Sequence, residues 1–399
     1  MLKRNNGSEM GYMQMLTTRS RHRSPMKKPT TMILLLCIFL LSAYYYFIHQ
    51  LIIKGTLVCY IPFSSCGKCE KYPDSCDYLP PPAIERKYTN DEIASHVVVR
   101  DILNAPCLSK NPKIAFMFLT PGSLPFERLW DKFFQGHEGK FSVYVHSSKT
   151  KPLRMSRYFI NQDIPSDEVH WGNISMFDAE RRLLANALQD PHNQRFVLLS
   201  DSCIPLHSFG YIYDYLINTN VSFVECFEDI GPQGNGRYSR HMLPEIQMKD
   251  FRKGGQWFTL KRQHALVVIA DNLYYSKFRA YCKLGFEGKY CIVDEQYLPT
   301  LFNIVDPGGI ANWSVTHVDW SKRGWHPKTY GVEDVTYQLL NNISSVDVSM
   351  HVTSNMKKEI KRQPCLWNGI QRPCYLFARK FTPQTIDKLL HIFSNYSIN

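Results

Sequence analysis

In CIVDEQYLPT, residues 291–300, Asp294 and Glu295 stand side by side between a short apolar run and what reads as a helix start. Neighbouring carboxylates can decorate a helix end, hold a cation, or take a proton from a substrate. Acidic side chains at a helix N-terminus are favourable by roughly 0.3–1 kcal/mol on electrostatic grounds alone. The ten residues therefore leave all three roles open.

The cation-holding role needs more ligands than this stretch supplies. Enzymes that use sugar nucleotides often hold a divalent cation with an Asp-x-Asp at a strand end, because the diphosphate leaving group carries charge that must be neutralised. No Asp-x-Asp occurs; the apolar run RFVLLS (195–200) is followed by Asp201-Ser202-Cys203, with one carboxylate where two are wanted. Cationic side chains are the remaining means. The loop GPQGNGRYSRHMLPEIQMKDFRKGGQWF (231–258) carries Arg237, Arg240, His241, Lys249, Arg252 and Lys253, which fit a solvated loop as well as an anionic-ligand loop. A second basic group, Arg372, Arg379 and Lys380, lies in CLWNGIQRPCYLFARKF (365–381). Trp257 and Trp320 could stack on sugar faces or sit in a core.

Other chemistries lack their motifs. No G-x-x-x-x-G-K-[ST] occurs, and no G-x-G-x-x-G follows the first apolar strand, which argues against phosphate-loop ATPases and ordinary dinucleotide enzymes. H-E-x-x-H and G-x-S-x-G are absent too, against zinc proteases and α/β-hydrolases.

The elements that must position these residues alternate along the chain. KIAFMFL (113–119), KFSVYVH (140–146), RFVLLS (195–200) and VSFVECF (221–227) read as strands. PFERLWDKFF (125–134), FDAERRLLANAL (177–188) and FGYIYDYLI (209–217) have helical spacing. Strands apolar throughout and separated by helices predict an α/β domain whose mostly parallel sheet is covered on both faces. Ligands of such sheets bind beyond the carboxyl ends of the strands, where Thr120, His146 and Asp201 fall. Each also fits plain strand-to-helix turn chemistry.

The formal charge of +12 suggests nucleic acid until it is divided. Residues 1–31 carry seven Lys/Arg against Glu9 alone, which is half the excess. That tail precedes an uncharged stretch, MILLLCIFLLSAYYYFIHQLII (32–53), whose 22 positions would span roughly 33 Å as a helix, enough for a bilayer core of about 30 Å. The reading is a cytosolic basic tail (1–31), a transmembrane signal anchor (32–53), a Cys- and Pro-containing stem (54–110) and a lumenal catalytic domain (111–390), with no nucleic-acid partner. Five Asn-x-Ser sequons beyond the anchor, at Asn173, Asn220, Asn312, Asn342 and Asn395, agree with that topology. So do eleven of the twelve cysteines. Among them Cys59, Cys66, Cys69 and Cys76 favour disulfides over a zinc site, and Cys365 and Cys374 are a further candidate pair. Eleven is odd, leaving a free thiol or a bridge to a second copy.

KIAFMFL with its PGSLP turn, SVYVHSS, FVLLSDSCIPL, RKGGQWFTLKR, VDEQYLPT, THVDWS and ARKF occur in that order. Together they resemble the core-2/I-branching β-1,6-N-acetylglucosaminyltransferase family, in particular its plant branch, over roughly residues 113–385. The resemblance implies a type II Golgi membrane protein with a GT-A-like, Rossmann-type fold. It also implies inverting, metal-independent transfer from a UDP-sugar donor to a glycan or glycoprotein acceptor, in cell-wall or glycoprotein polysaccharide synthesis. By position, Glu295 matches the family's catalytic base and Lys380 its diphosphate lysine. Arg372 is the nearest match to the diphosphate arginine between the paired cysteines, one residue out of register with the second. Gln296 stands where many plant relatives have His. On this reading Asp294 caps or orients the helix start, and Arg252 and Lys253 touch the acceptor. Two rivals remain: a glycan-binding or scaffold protein on the same fold, and a metal-dependent hydrolase using Asp201, Asp294 and Glu295.

Overall fold

The computed structural model describes residues 41–42, 89–103, 109–321 and 326–396. The chain divides into two compact units, Met1–Tyr72 and Pro73–Asn399. Of the first, only the helical pair Leu41 and Ser42 is described. The rest of the expected anchor, the basic tail and Cys59, Cys66, Cys69 and Cys76 lie outside the described residues. Among the described residues no helix is long and apolar enough to cross a membrane.

The second unit opens with α1 (Asn90–Leu103), β1 (Lys113–Thr120), α2 (Glu127–Phe134), β2 (Phe141–Ser147), α3 (Ile174–Ala187) and β3 (Asn193–Ser200). It continues through β4 (Ile204–Pro205), α4 (Phe209–Ile217), β5 (Ser222–Glu225), β6 (Thr259–Lys261), α5 (Arg262–Ala270), α6 (Leu273–Tyr281) and α7 (Val293–Val305). Then come β7 (Ile310–Asn312), β8 (Thr316–Val318), α8 (Tyr337–Ser344), β9 (Val348–Val352), β10 (Ile360–Pro364), β11 (Leu366–Trp367), β12 (Ile370–Gln371), β13 (Phe377–Arg379) and α9 (Ile386–Tyr396).

The main sheet has the order β2-β1-β3-β6-β5-β7. Strands β2, β1 and β3 run parallel, and so do β5 and β7; β6 is antiparallel to both its neighbours. The apolar runs state their reason directly: every residue of β1 from Ile114 onward is buried, as expected for a strand covered on both faces. On one face Phe116 packs with Phe134 at 5.1 Å between ring centroids and with Phe133 at 5.9 Å, and Phe118 meets Trp130 at 5.2 Å. Each such side chain stabilises the fold by about 1.5–3 kcal/mol on burial. The three-residue β6 is too short for any periodicity to announce it.

Two further features place the site. Strand β13 pairs antiparallel with β4 and parallel with β8, which carries residues 379–381 back to the end of β3; Phe381 donates its N–H to the Ser202 carbonyl at 3.1 Å. Helix α1, in the segment read as stem, docks on the domain: Asp101 pairs with Arg262 at 2.9 Å, and Arg100 donates to the Leu188 carbonyl at 2.8 Å. Cys365–Cys374 is a disulfide, as the sequence suggested, and so is Cys282–Cys291, which it did not. Among the described cysteines Cys203 and Cys226 are free thiols.

Candidate active site

Helix α7 opens with Val293, Asp294 and Glu295 after Ile292, whose side chain gives no cap. Glu295 accepts from Lys253 Nζ and from Arg237 Nη1, each at 2.6 Å. Burial alone would push the Glu295 carboxyl up. Lys253 and Arg237 outweigh it, so the group lies below its ordinary value and stays ionised in mild acid. Arg237 also donates to Gln296 Oε1 at 3.2 Å, and Gln296 Nε2 donates to the Gln233 carbonyl at 3.1 Å. Gln296 thus ties the basic loop to the helix.

The backbone explains why this loop reaches the carboxylate. Gly254 donates its N–H to the Glu295 carbonyl at 2.9 Å, and a Cβ there would lie 1.9 Å from the Glu225 carbonyl oxygen. Only glycine lets the two segments approach so closely. Lys253 is held on the other side by paired backbone bonds with Phe227 at 2.9 Å. Arg252 turns away, donating to the carbonyls of Lys249 and Phe251 at 2.7 and 3.1 Å.

Asp294 lies in the first turn of α7. Its side chain is buried, and its Oδ1 has no hydrogen-bond partner among the described residues. Burial first, and then the neighbouring Glu295 charge, raise its carboxyl to about 7. Behind it lies Glu180 of α3, which is 0% exposed. Glu180 Oε1 accepts from Gln256 Nε2 at 2.9 Å, while its Oε2 has no partner among the described residues. Burial, and then Asp294, hold Glu180 well above the usual carboxylate range. A carboxyl buried beside a second buried carboxyl resists ionising near neutral pH. Sequence reasoning missed Glu180, which sits in an ordinary helical pattern; a carboxylate on the apolar face of α3 was the available signal.

The chain runs on from Gln256 to Trp257, and here the cations gather. The Arg379 guanidinium lies over the Trp257 ring, 4.2 Å from its centroid. Arg379 Nε is buried without a hydrogen-bond partner among the described residues, and the peptide between Arg379 and Lys380 is cis. Asp201, at the end of β3, is pushed up by burial and pulled back by Arg379 and Lys380. The turn 253–257 therefore connects the base to the basic group, through Lys253 at one end and Trp257 at the other.

The other residues singled out by type and spacing fall in several places. Arg372 stands on the β11–β12 hairpin, 4.7 Å over the Trp367 ring, and no described contact joins it to Lys380 or Glu295. Trp257 is buried beneath Arg379, whereas Trp320 is exposed. Thr120 Oγ1 closes the turn after β1, donating to the Ser123 carbonyl and accepting from Gly122 N–H, each at 2.8 Å. His146 is fully buried at the end of β2, with Nε2 3.2 Å from Arg182 Nη1; burial, then Arg182, lower it to about 4, so it is neutral. Of the sequon residues, Asn173 caps α3 by accepting from Ser175 N–H at 3.2 Å, Asn220 and Asn342 are exposed, and Asn312 ends β7 half-buried. The Asn395 side chain lies outside the described residues. Among the described residues no three His, Cys, Asp or Glu side chains converge in a group that could hold a metal ion, so Asp201, Asp294 and Glu295 form no such triad.

The family model of the Core-2/I-Branching enzyme matches residues 114–344. The chain belongs to this family, and membership supports a glycosyltransferase, with the sugar donor and glycan acceptor that such an enzyme implies. The chain is also similar to a curated rice protein (Oryza sativa subsp. japonica) named Glycosyltransferase BC10, at 37% identity over 326 residues, covering 73% of this chain and 79% of that one.

Proposed function

We propose that the protein is an inverting glycosyltransferase on a GT-A-like fold, moving a sugar from a UDP-sugar to a glycan or glycoprotein hydroxyl without a metal ion. The observation that carries this reading is the pairing of an ionised, cation-held Glu295 with a separate basic group, Arg379 and Lys380, along one turn of chain. Inversion needs one base to take the acceptor hydroxyl proton as that oxygen attacks the anomeric carbon in line with the departing UDP. Glu295 is that base. An incoming hydroxyl that takes the place of Lys253 or Arg237 on the carboxylate also raises its basicity, because the neighbouring cations hold it down.

Lys380 and Arg379 stabilise the charge that develops on the leaving diphosphate, the task a divalent cation performs elsewhere. Arg379 suits it because ring and burial fix the guanidinium before any anion arrives. Arg372 is the alternative arginine, favoured by its place between the paired cysteines. His146, Thr120 and Asp201 border the donor nucleotide, and Trp320, with Lys253, faces the acceptor. The missing Asp-x-Asp supports the metal-free reading. The basic tail, the apolar stretch 32–53 and the sequons support a single-pass type II Golgi protein with this domain lumenal, acting on cell-wall or glycoprotein glycans.

The test is turnover of a panel of UDP-sugars, including UDP-GlcNAc, UDP-glucuronate and UDP-xylose, by the full-length chain in EDTA. Metal-free transfer that disappears in Glu295→Gln is the expected result. Turnover that returns only on adding a divalent cation would overturn the role given to the basic group.

A further inference from the structure

A series of contacts through exposed side chains links the segment beside Lys380 to the hairpin that precedes α7. At the basic end Tyr330 donates its N–H to the Lys380 carbonyl at 2.7 Å. In the same segment the His326 ring meets Trp171 edge-on, at 6.1 Å between centroids. Trp171 is 56% exposed. The next residue, Gly172, has φ +71°, and a Cβ there would lie 3.0 Å from Leu284 Cδ1, so Leu284 packs where a side chain would otherwise stand. Leu284 pairs antiparallel with Tyr290, and residues opposite one another in such a pair present their side chains to the same face. Leu284 is 42% exposed and Tyr290 64%. After Tyr290 comes Cys291, and then α7 with Glu295.

The hairpin carrying Leu284 and Tyr290 is fixed before any ligand arrives. The Cys282–Cys291 disulfide closes its base. Lys289 Nζ donates to the Tyr238 carbonyl at 2.8 Å, and His241 meets Glu287 at 3.2 Å, so it is also tied to the basic loop that holds the base. Exposed rings on a braced backbone lose little freedom when they are covered. Beside Trp171, the exposed Glu168 and His170 stand 4.0 Å apart and add hydrogen-bonding groups at the edge of the ring. A flat apolar face with polar groups at its margin matches a pyranose, whose C–H face is apolar and whose hydroxyls point outward. A protein interface of ordinary size would need about 800 Å² on this side, far more than three side chains provide.

We propose that Trp171, Leu284 and Tyr290 form a stacking subsite for neutral pyranose units of the acceptor glycan, beyond the unit whose hydroxyl reacts. The subsite rests on the transferase reading for its purpose, but not for its binding chemistry. It makes the enzyme prefer a chain of sugars over a single residue, because only a chain spans from Glu295 to these side chains.

The experiment uses the full-length protein with cellohexaose, xylohexaose and β-1,3-galactohexaose as probes, read by saturation-transfer NMR and tryptophan fluorescence. UDP-sugar hydrolysis without acceptor is measured in parallel. The expected result is that at least one hexaose binds and that Trp171→Ala and Tyr290→Ala each weaken it at least tenfold, while Met356→Ala, distant in sequence and fully exposed, does not. Donor hydrolysis and thermal midpoint should be unchanged in the two ring variants. The inference is overturned if no hexaose binds at millimolar concentration, if binding survives both substitutions, or if light scattering shows the face to be covered by a second copy instead. A wild type that binds a hexaose through these rings yet hydrolyses no UDP-sugar would overturn the transferase reading and leave the subsite standing.

Discussion

The two ends of the site handle charge in opposite ways. At the base, one carboxylate is matched by two cations at 2.6 Å, while two more carboxyls, Asp294 and Glu180, are buried nearby, each with an oxygen that has no partner among the described residues. At the basic end, Arg379 and Lys380 face the single carboxylate Asp201, and Arg379 rests on an aromatic ring with no partner for its Nε among the described residues. Each end sets two cations against one carboxylate, but at the base both cations are bound to Glu295, whereas among the described residues Arg379 and Lys380 form no ion pair with Asp201 and stay available to an anion. That difference suits a reaction in which a neutral hydroxyl approaches one end and a dianionic leaving group departs from the other.

The contrast can be broken most severely at the base. Glu295→Gln keeps the shape and removes the proton acceptor, so kcat should fall by about 10²–10⁴-fold with donor binding retained, as read by UDP titration. Unchanged turnover would remove Glu295 from the mechanism. At the other end, Lys380→Ala and Arg379→Ala should each lower kcat by about 10²–10³-fold. Arg372→Ala tests the rival arginine and should stay within a few-fold of wild type; an equal loss there would move the diphosphate to the hairpin.

A smaller effect separates the cations around the base. Burial raises Glu295, and Lys253 and Arg237 pull it below its ordinary value. Lys253→Gln weakens that pull, so the acid limb of the pH–rate profile should move to higher pH. A limb that stays put would mean that some other group titrates.

The smallest effect falls on stability. Glu180 releases its proton near the ordinary value of 4.5 in the unfolded chain but at higher pH when folded, so wild-type stability falls as pH rises through that interval. Glu180→Gln retains the bond to Gln256 and has no proton to lose. Its melting temperature should exceed wild type by a margin that widens as pH rises above the ordinary carboxylate value. A margin independent of pH would show that Glu180 is not the source.

Much of this was legible in the residues. The run at 113–119 is apolar after Lys113 and those at 140–146 and 195–200 are apolar at their centres, and together with the helical stretches between them they read as strands covered on both faces. FGYIYDYLI coincides with α4 from end to end. Asp294 and Glu295 stand out because two carboxylates at a helix start are visible without any fold. Which of the two faces the cations is a rotation of one residue around a helix, which the sequence does not show.

Composition and periodicity determined the α/β class and the parallel strands, since these depend on contacts between near neighbours and on which faces meet water; the choice of Glu295 as base came from the family resemblance. Tertiary structure decided the rest. Arg237 and Lys253 reach Glu295 from 58 and 42 positions away. Glu180 meets Gln256 across 76, and Trp257 carries Arg379 over its ring from 122 positions away. Pairings of that kind are fixed by how strands and loops close over a common core, and nothing in the local sequence of either partner records them.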